Sequence, residues 1–171
     1  KKGFPVLVTA AALTRAPISV RIVGDGPLRD ELTRQVRETG LDGRVTLTGP
    51  LTHAELPAAY AGVHVVAVPS IVNGEGDRDG LPNVVLEAMA TARPVVASDV
   101  GAVASAITHD DTGMLVPAGD ASALAAAFDR LAADPALRHR LADSGRRRVA
   151  ETYELGACTG HLIAHLEGIY A

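Results

Sequence analysis

The sequence predicts an α/β fold, with one doubly wound parallel β-sheet that carries helices on both faces and residues 1–171 forming a single domain. Three observations favour this class. Apolar runs of strand length alternate with helical patterns, as in successive βαβ units. Residues 63–68 are almost continuously apolar, which is typical of a strand buried in the middle of a parallel sheet. The chain is 47% apolar, enough for one sizeable core, and no repeat or linker divides it.

Local signals indicate where the individual elements begin. Five apolar runs are expected to form the strands, over residues 18–23, 44–48, 63–68, 94–97 and 113–116. Helices are expected over residues 27–40, from 52, over 83–92, over 120–133, from 134 and after 153. Pro27 stands at a helix start, where proline is favoured. Thr52 and Glu55 have the spacing of a capping box. Asp120 and Asp134 are expected to be N-caps.

The composition excludes several classes of function. The net charge is −4, aromatic residues make up 3% and there is no Trp, which argues against a nucleic-acid partner. The single cysteine, Cys158, excludes an internal disulfide and any multi-cysteine metal site, and fits a cytoplasmic location. No apolar run is long enough to span a bilayer. The start at Lys1 without a Met is expected to mark a boundary within a longer protein.

Four loops are expected to form a ligand crevice. Open α/β sheets bind ligands at the carboxyl ends of their strands, where loops lead into helices. The loops that follow predicted strands cover residues 24–27, 49–52, 69–82 and 98–102. We expect all four to converge on one crevice.

Two acidic residues bracket the start of the predicted helix over 83–92. Asp79 precedes the helix and Glu87 lies near its second turn, roughly 7 Å from the helix start at a rise of about 1.5 Å per residue. The free N–H groups of a helix N-terminus favour a diphosphate, whereas carboxylates suit hydroxyl groups. The alternative interpretation is that Asp79 only caps the helix and Glu87 faces solvent.

The segment from Asp79 to Glu87, Asp-Gly-Leu-Pro-Asn-Val-Val-Leu-Glu, resembles the acid-x7-acid motif of retaining GT-B glycosyltransferases of the group 1 family. That motif commonly begins with Glu-Gly-x-Pro. Other segments resemble the family in its order and spacing, namely residues 2–4, 22–29, 45–49, 68–70, 94–98 and 112–117. Together they identify the chain as similar to the C-terminal, nucleotide-sugar-binding domain of these enzymes.

The resemblance implies a role for each matching position. Lys2, Asp79 and Glu87 would be the catalytic group: Lys2 at the donor diphosphate, Asp79 at hydroxyls of the transferred sugar and Glu87 at the ribose hydroxyls. The family also places an arginine several residues upstream of Lys2, outside this sequence. The implied donor-binding positions are Lys2, Gly24, Gly49, Pro50, Asp79, Gly80, Leu81, Pro82, Asn83, Val84 and Glu87.

The resemblance also implies which ligand the chain binds and which domain it needs for transfer. The substrate would be a nucleoside diphosphate sugar such as a UDP- or GDP-hexose, with no cofactor and no metal. An N-terminal domain would hold the acceptor, so this chain alone is expected to bind the donor without transferring the sugar. Peripheral membrane contact through the full-length enzyme is left open as a further partner. Two alternatives stay open: a non-catalytic nucleotide-sugar-binding module, and a GT-B-like epimerase acting on the donor alone.

Several positions depart from the family pattern. Asp79 replaces the commoner Glu and reaches one methylene less far, so a different sugar preference is expected. Ala102 and Ser105 stand where the family often has Gly and Glu, and Ala92 replaces a frequent Gly.

Three further motifs have simpler interpretations. Residues 24–29 resemble the start of a dinucleotide fingerprint, but Arg29 takes the place of the third glycine. His161 and His165 have a zinc-compatible spacing, yet Leu162 stands where a metalloprotease needs its Glu. The run over residues 146–148, three arginines, is predicted to be a solvated helix face.

Overall fold

The computed structural model describes residues 1–72, 74–154 and 156. All five predicted strands are present, β1, β3 and β5 in shortened form and β2 and β4 shifted by one residue: β1 Val20–Val23, β2 Val45–Gly49, β3 Val66–Val68, β4 Val95–Ser98 and β5 Met114–Val116. The helices of the described residues are α1 Phe4–Leu13, α2 Arg29–Glu38, α3 Leu56–Ala61, α4 Asn83–Ala90, α5 Val103–Ala106, α6 Ala121–Ala133 and α7 Pro135–Thr152. Cys158, His161 and His165 lie outside the described residues, as does the helix that was predicted after Tyr153.

The strands are parallel, but they form two hydrogen-bonded sheets instead of the one continuous sheet that was predicted. β1 pairs with β2 in one sheet, and the other has the order β3-β4-β5. Within the described residues, no strand links β1 to β3 by hydrogen bonds. Both sheets nevertheless share a core, because Ile22 and Val45 belong to the same buried cluster as Val96 and Met114. The α/β class with helix-flanked parallel strands is therefore confirmed.

The first helix, α1, has no counterpart among the sequence predictions. Its sequence, Phe-Pro-Val-Leu-Val-Thr-Ala-Ala-Ala-Leu, is apolar on nearly all sides, so it lacks the polar face that marks an amphipathic helix. The helix packs against α6 and α2, and it buries Leu7, Val8, Ala10 and Ala11. Tertiary burial therefore accounts for a helix that has no periodic signal. The four-residue α5 also has no counterpart among the predictions.

Two of the predicted helix starts agree with their local signals and two are displaced, because α2 begins at Arg29 instead of Pro27 and α3 begins at Leu56 instead of following Thr52 directly. The Asp120 carboxylate accepts the Ala123 N–H at 2.8 Å and the Asp134 carboxylate accepts the Leu137 N–H at 2.9 Å, so both predicted N-caps are confirmed. The capping box is only half formed. Both the N–H and the hydroxyl of Thr52 donate to Glu55 Oε2 at 2.7 Å. Helix α3 begins at Leu56, the residue after Glu55. No helix of the described residues is long and apolar enough to cross a membrane.

Candidate functional site

The Asp79 carboxylate lies in the loop between β3 and α4 and is held by two side chains. Lys2 Nζ lies 3.1 Å from Oδ1 and 3.0 Å from Oδ2, and the Ser70 hydroxyl donates to Oδ2 at 3.1 Å. The Asp79 side chain is only 11% exposed, whereas that of Lys2 is 57% exposed. Helix α4 has Pro82 as its N-cap with no side-chain cap bond. The interpretation of Asp79 as a mere helix cap is therefore wrong.

The backbone around Lys2 is packed against the segment that follows β3. Gly3 has a φ of +67°, and a Cβ built on it would lie 1.8 Å from the Pro69 carbonyl oxygen, so only glycine fits here. The Ile71 N–H donates to the Lys1 carbonyl at 2.9 Å. These contacts explain how a residue 77 positions away in sequence reaches Asp79.

A second loop approaches the backbone of Asp79 from the end of β4. Gly101 has a φ of +63°, and a Cβ there would lie 2.2 Å from the Asp79 carbonyl oxygen and 2.7 Å from that of Gly80. The Ala102 N–H donates to the Gly80 carbonyl at 3.2 Å. The loops over residues 69–82 and 98–102 therefore meet, as the sequence predicts.

The backbone from Gly80 to Val84 leads directly into α4. Pro82 is extended, with φ −63° and ψ 130°, and α4 begins at Asn83. The first N–H groups of a helix have no intrahelical acceptor, so those of Asn83 and Val84 are available to an anion. Leu81 and Val84 are partly buried, Pro82 is buried, and Gly80 and Asn83 are exposed.

Glu87 lies on the exposed side of α4 and is bound by a residue that the sequence analysis did not identify. The Tyr60 hydroxyl, from α3, donates to Glu87 Oε2 at 2.7 Å. Burial, and then the neighbouring Glu87 carboxylate, raise the pKa of Tyr60 above its usual range, so the phenol remains a hydrogen-bond donor. No motif in the sequence pairs these residues, which lie 27 positions apart.

The two remaining predicted loops meet at the end of the two-stranded sheet. The Gly24 N–H donates to the Gly49 carbonyl at 2.8 Å, and both glycines have positive φ, at +123° and +80°. Pro50 follows, with an exposed side chain. The loops over residues 24–27 and 49–52 therefore form a second pair. Convergence of all four loops on one crevice stays a prediction.

The remaining departures from the family pattern have local structural consequences. Ala92 adopts a φ of +53°, a conformation that favours glycine. The Ser105 carbonyl accepts hydrogen bonds from Tyr153 Oη at 2.9 Å and Arg148 Nη2 at 3.2 Å. The arginines at 146–148 are exposed, as predicted, and Arg148 also connects α7 to α5 through the Ser105 carbonyl. Among the described residues, no three His, Cys, Asp or Glu side chains are grouped to hold a metal ion.

Comparison with known proteins gives a consistent assignment. The sequence model of the family described as Glycosyl transferases group 1 matches residues 1–134. The chain is 36% identical over 173 residues to the alpha-D-kanosaminyltransferase of Streptomyces kanamyceticus, an alignment that covers 99% of this chain and 42% of that protein.

Solved structures show the same relationship. Sucrose-phosphate synthase from Thermosynechococcus elongatus is 36% identical with a TM-score of 0.78, and the match covers 98% of this chain and 43% of that one. The Anabaena protein Alr3699/HepE, solved in complex with UDP, matches at a TM-score of 0.85 and 24% identity over 98% of this chain and 45% of its own, which shows the shared fold. The chain spans less than half the length of these relatives. It belongs to the group 1 glycosyl transferases.

Proposed function

We propose that this chain is the donor-binding half of a retaining glycosyltransferase that moves a hexose from a nucleoside diphosphate sugar. The observation that carries the proposal is the pair of held carboxylates around α4. Asp79 is fixed by Lys2 and Ser70 before the helix, and Glu87 is fixed by Tyr60 within it. The HepE structure contains UDP, which supports a nucleotide-sugar ligand.

The diphosphate lies between Lys2 and the N-terminus of α4 in this proposal. The N–H groups of Asn83 and Val84 and the positive end of the helix dipole attract phosphate oxygens. Lys2 adds a full positive charge close to the same helix, because its ammonium group already contacts Asp79. Cations and N–H donors stabilise the negative charge that develops on the leaving diphosphate as the glycosidic bond breaks. We therefore propose that transfer needs no metal ion and no cofactor.

The two carboxylates divide the sugars of the donor between them. Asp79 precedes the helix and contacts hydroxyls of the transferred hexose, whereas Glu87 lies within the helix and accepts hydrogen bonds from the ribose. Gly24, Gly49 and Pro50 lie near the base. Since the relatives are more than twice as long as the matched region, a second domain supplies the acceptor site, and this chain alone binds the donor without transferring it.

The test compares two neighbouring lysines. Wild type, Lys2→Met and Lys1→Met are titrated calorimetrically with UDP, GDP and ADP, and with the matching free nucleosides. Lys2 contacts Asp79, whereas Lys1 contacts Asp77 at 3.0 Å, so Lys1→Met is a control of equal charge change. We expect Lys2→Met to weaken diphosphate binding about tenfold, as for one charge-assisted hydrogen bond, and to leave nucleoside binding unchanged.

The melting point supplies a second measurement. A nucleotide at about 100 times its dissociation constant should stabilise the fold by about 2.7 kcal/mol. If no nucleoside diphosphate or nucleotide sugar binds or raises the melting point, the proposed function is wrong. Robust transfer by this chain alone would contradict the assignment of the acceptor to a second domain, and donor turnover without any acceptor would indicate an epimerase.

A further inference from the structure

A polar contact between Tyr60 and Glu87 joins helix α3 to helix α4. The phenol oxygen lies 2.7 Å from Glu87 Oε2, a normal distance for a hydroxyl that donates to a carboxylate. The Tyr60 ring is partly buried and packs against the core cluster that contains Val85 and Ala88. The hydroxyl is therefore presented from a fixed ring, whereas Glu87 itself is exposed.

An exposed glutamate without such a partner populates several rotamers, and ordering it on binding a ligand costs conformational entropy. The bond from Tyr60 fixes Oε2 of Glu87. A carboxylate accepts several hydrogen bonds, so Oε1 keeps its full accepting capacity. The contact thus orients the side chain in advance of any ligand.

The position of Tyr60 along the chain adds a second connection. The loop over residues 49–52, which we place near the base, leads through the Thr52–Glu55 turn into α3, and Tyr60 lies in the last turn of that helix. α3 therefore runs from the segment next to the base to the carboxylate assigned to the ribose.

We propose that Tyr60 is a positioning residue for Glu87: it holds Oε2 so that Oε1 is directed at the ribose hydroxyls of the donor. This inference rests on the proposed function, in which Glu87 is the ribose contact. It adds a residue outside the acid-x7-acid motif and predicts that removal of one hydroxyl in α3 alters recognition of the ribose.

The test measures discrimination between ribose and deoxyribose. Dissociation constants for UDP and 2′-deoxy-UDP, or for GDP and 2′-deoxy-GDP if the wild type binds guanosine, are measured for wild type, Tyr60→Phe, Glu87→Gln and the double variant. Tyr60→Phe keeps the packed ring and removes only the hydroxyl. Tyr153→Phe is the matched control, because Tyr153 packs against the same cluster and donates to the Ser105 carbonyl at 2.9 Å.

We expect wild type to prefer the ribonucleotide at least tenfold, as for a hydrogen bond to a charged group. Tyr60→Phe should reduce that preference about three- to tenfold, and the double variant should discriminate no worse than Glu87→Gln alone. Tyr153→Phe should keep the wild-type preference. A purely structural role for Tyr60 predicts a lower melting point with an unchanged preference.

The outcomes separate the two proposals. If Glu87→Gln loses the ribose preference and Tyr60→Phe keeps it, the role of Tyr60 is wrong and the proposed function stands. If wild type binds neither nucleotide pair, or binds both members of a pair equally, the ribose role of Glu87 fails and the positioning role fails with it. Equal losses in Tyr60→Phe and Tyr153→Phe would also overturn the inference.

Discussion

Replacement of Gly101 by Ala should disturb the backbone that carries Asp79. The new Cβ would lie 2.2 Å from the Asp79 carbonyl oxygen and 2.7 Å from that of Gly80, at a φ of +63°. Both neighbours are backbone atoms, so the clash is not relieved by rotating a side chain, and the two loops must separate by about 1 Å. Because Asp79 belongs to one of these loops, its carboxylate moves with the backbone.

Gly40→Ala is a matched control for this change. Gly40 has nearly the same φ, +67°, but a Cβ there meets nothing within 4 Å. Gly40→Ala should therefore cost only the conformational strain of about 1 kcal/mol. Gly101→Ala should cost about 1–3 kcal/mol more, the usual range for overpacking.

Urea denaturation of the two variants measures the difference in stability, and calorimetry with a nucleotide sugar measures the effect on the site. Since a displacement of about 1 Å is enough to impair a positioned contact, donor affinity should fall about tenfold in Gly101→Ala and stay unchanged in Gly40→Ala. Equal stabilities would refute the close approach of the two loops. A selective loss of stability with unchanged donor affinity would refute the role given to Asp79.

Two further predictions concern stability. Ala92→Gly should raise the free energy of unfolding by about 0.5–1 kcal/mol in urea denaturation, because Ala92 has a φ of +53°, and a loss of stability would contradict this. Hydrogen bonds from the Thr14 hydroxyl and from the N–H groups of Arg15 and Ala16 hold the pKa of Asp129 below its usual range. That stabilisation is present above the unfolded pKa of about 3.9 and is lost as the pH falls through the lower folded value. Asp129→Asn should therefore lose less stability than wild type between about pH 4 and pH 2, and parallel pH profiles would contradict this expectation.

Elements with local signals were predictable from the sequence, whereas those defined by tertiary packing were not. The caps at Asp120 and Asp134 depend on residues three positions apart, so their pattern is visible in the chain. α1 is buried on most of its surface and shows no amphipathic period. The division into two sheets depends on which strand edges form hydrogen bonds, and the alternation of strands and helices does not specify that.

The same distinction holds for the candidate site. The segment from Asp79 to Glu87 is contiguous, so its two acids and the helix start between them could be predicted. Two of the groups that hold the acids come from distant positions, Lys2 at Asp79 and Tyr60 at Glu87, whereas Ser70 lies nine residues before Asp79 in the same loop. The family resemblance placed Lys2 in the same site as Asp79, but the direct contact between them, and the Tyr60 contact across 27 residues, leave no pattern in a single sequence and required the structure.

The most direct test of the donor-site assignment is the ratio of affinities for an intact UDP- or GDP-hexose and for the bare diphosphate. It is measured on wild type, Asp79→Ala, Asp79→Asn and Glu87→Gln, with Asp77→Ala as the exposed neighbouring control. Asp79→Asn retains an oxygen that can accept the hydrogen bond from the buried Ser70 hydroxyl. It is therefore included as a variant that is expected to fold even if Asp79→Ala does not.

We predict that Asp79→Ala weakens binding of the intact donor by about 1–3 kcal/mol and leaves binding of the bare diphosphate nearly unaffected. The reason is that the variant leaves a sugar hydroxyl without a hydrogen-bond partner, and only the intact donor carries that hydroxyl. Glu87→Gln should weaken both ligands equally and leave the ratio at its wild-type value. If Asp79→Ala and Glu87→Gln both bind the intact donor and the bare diphosphate with wild-type affinity, the donor-site assignment is wrong.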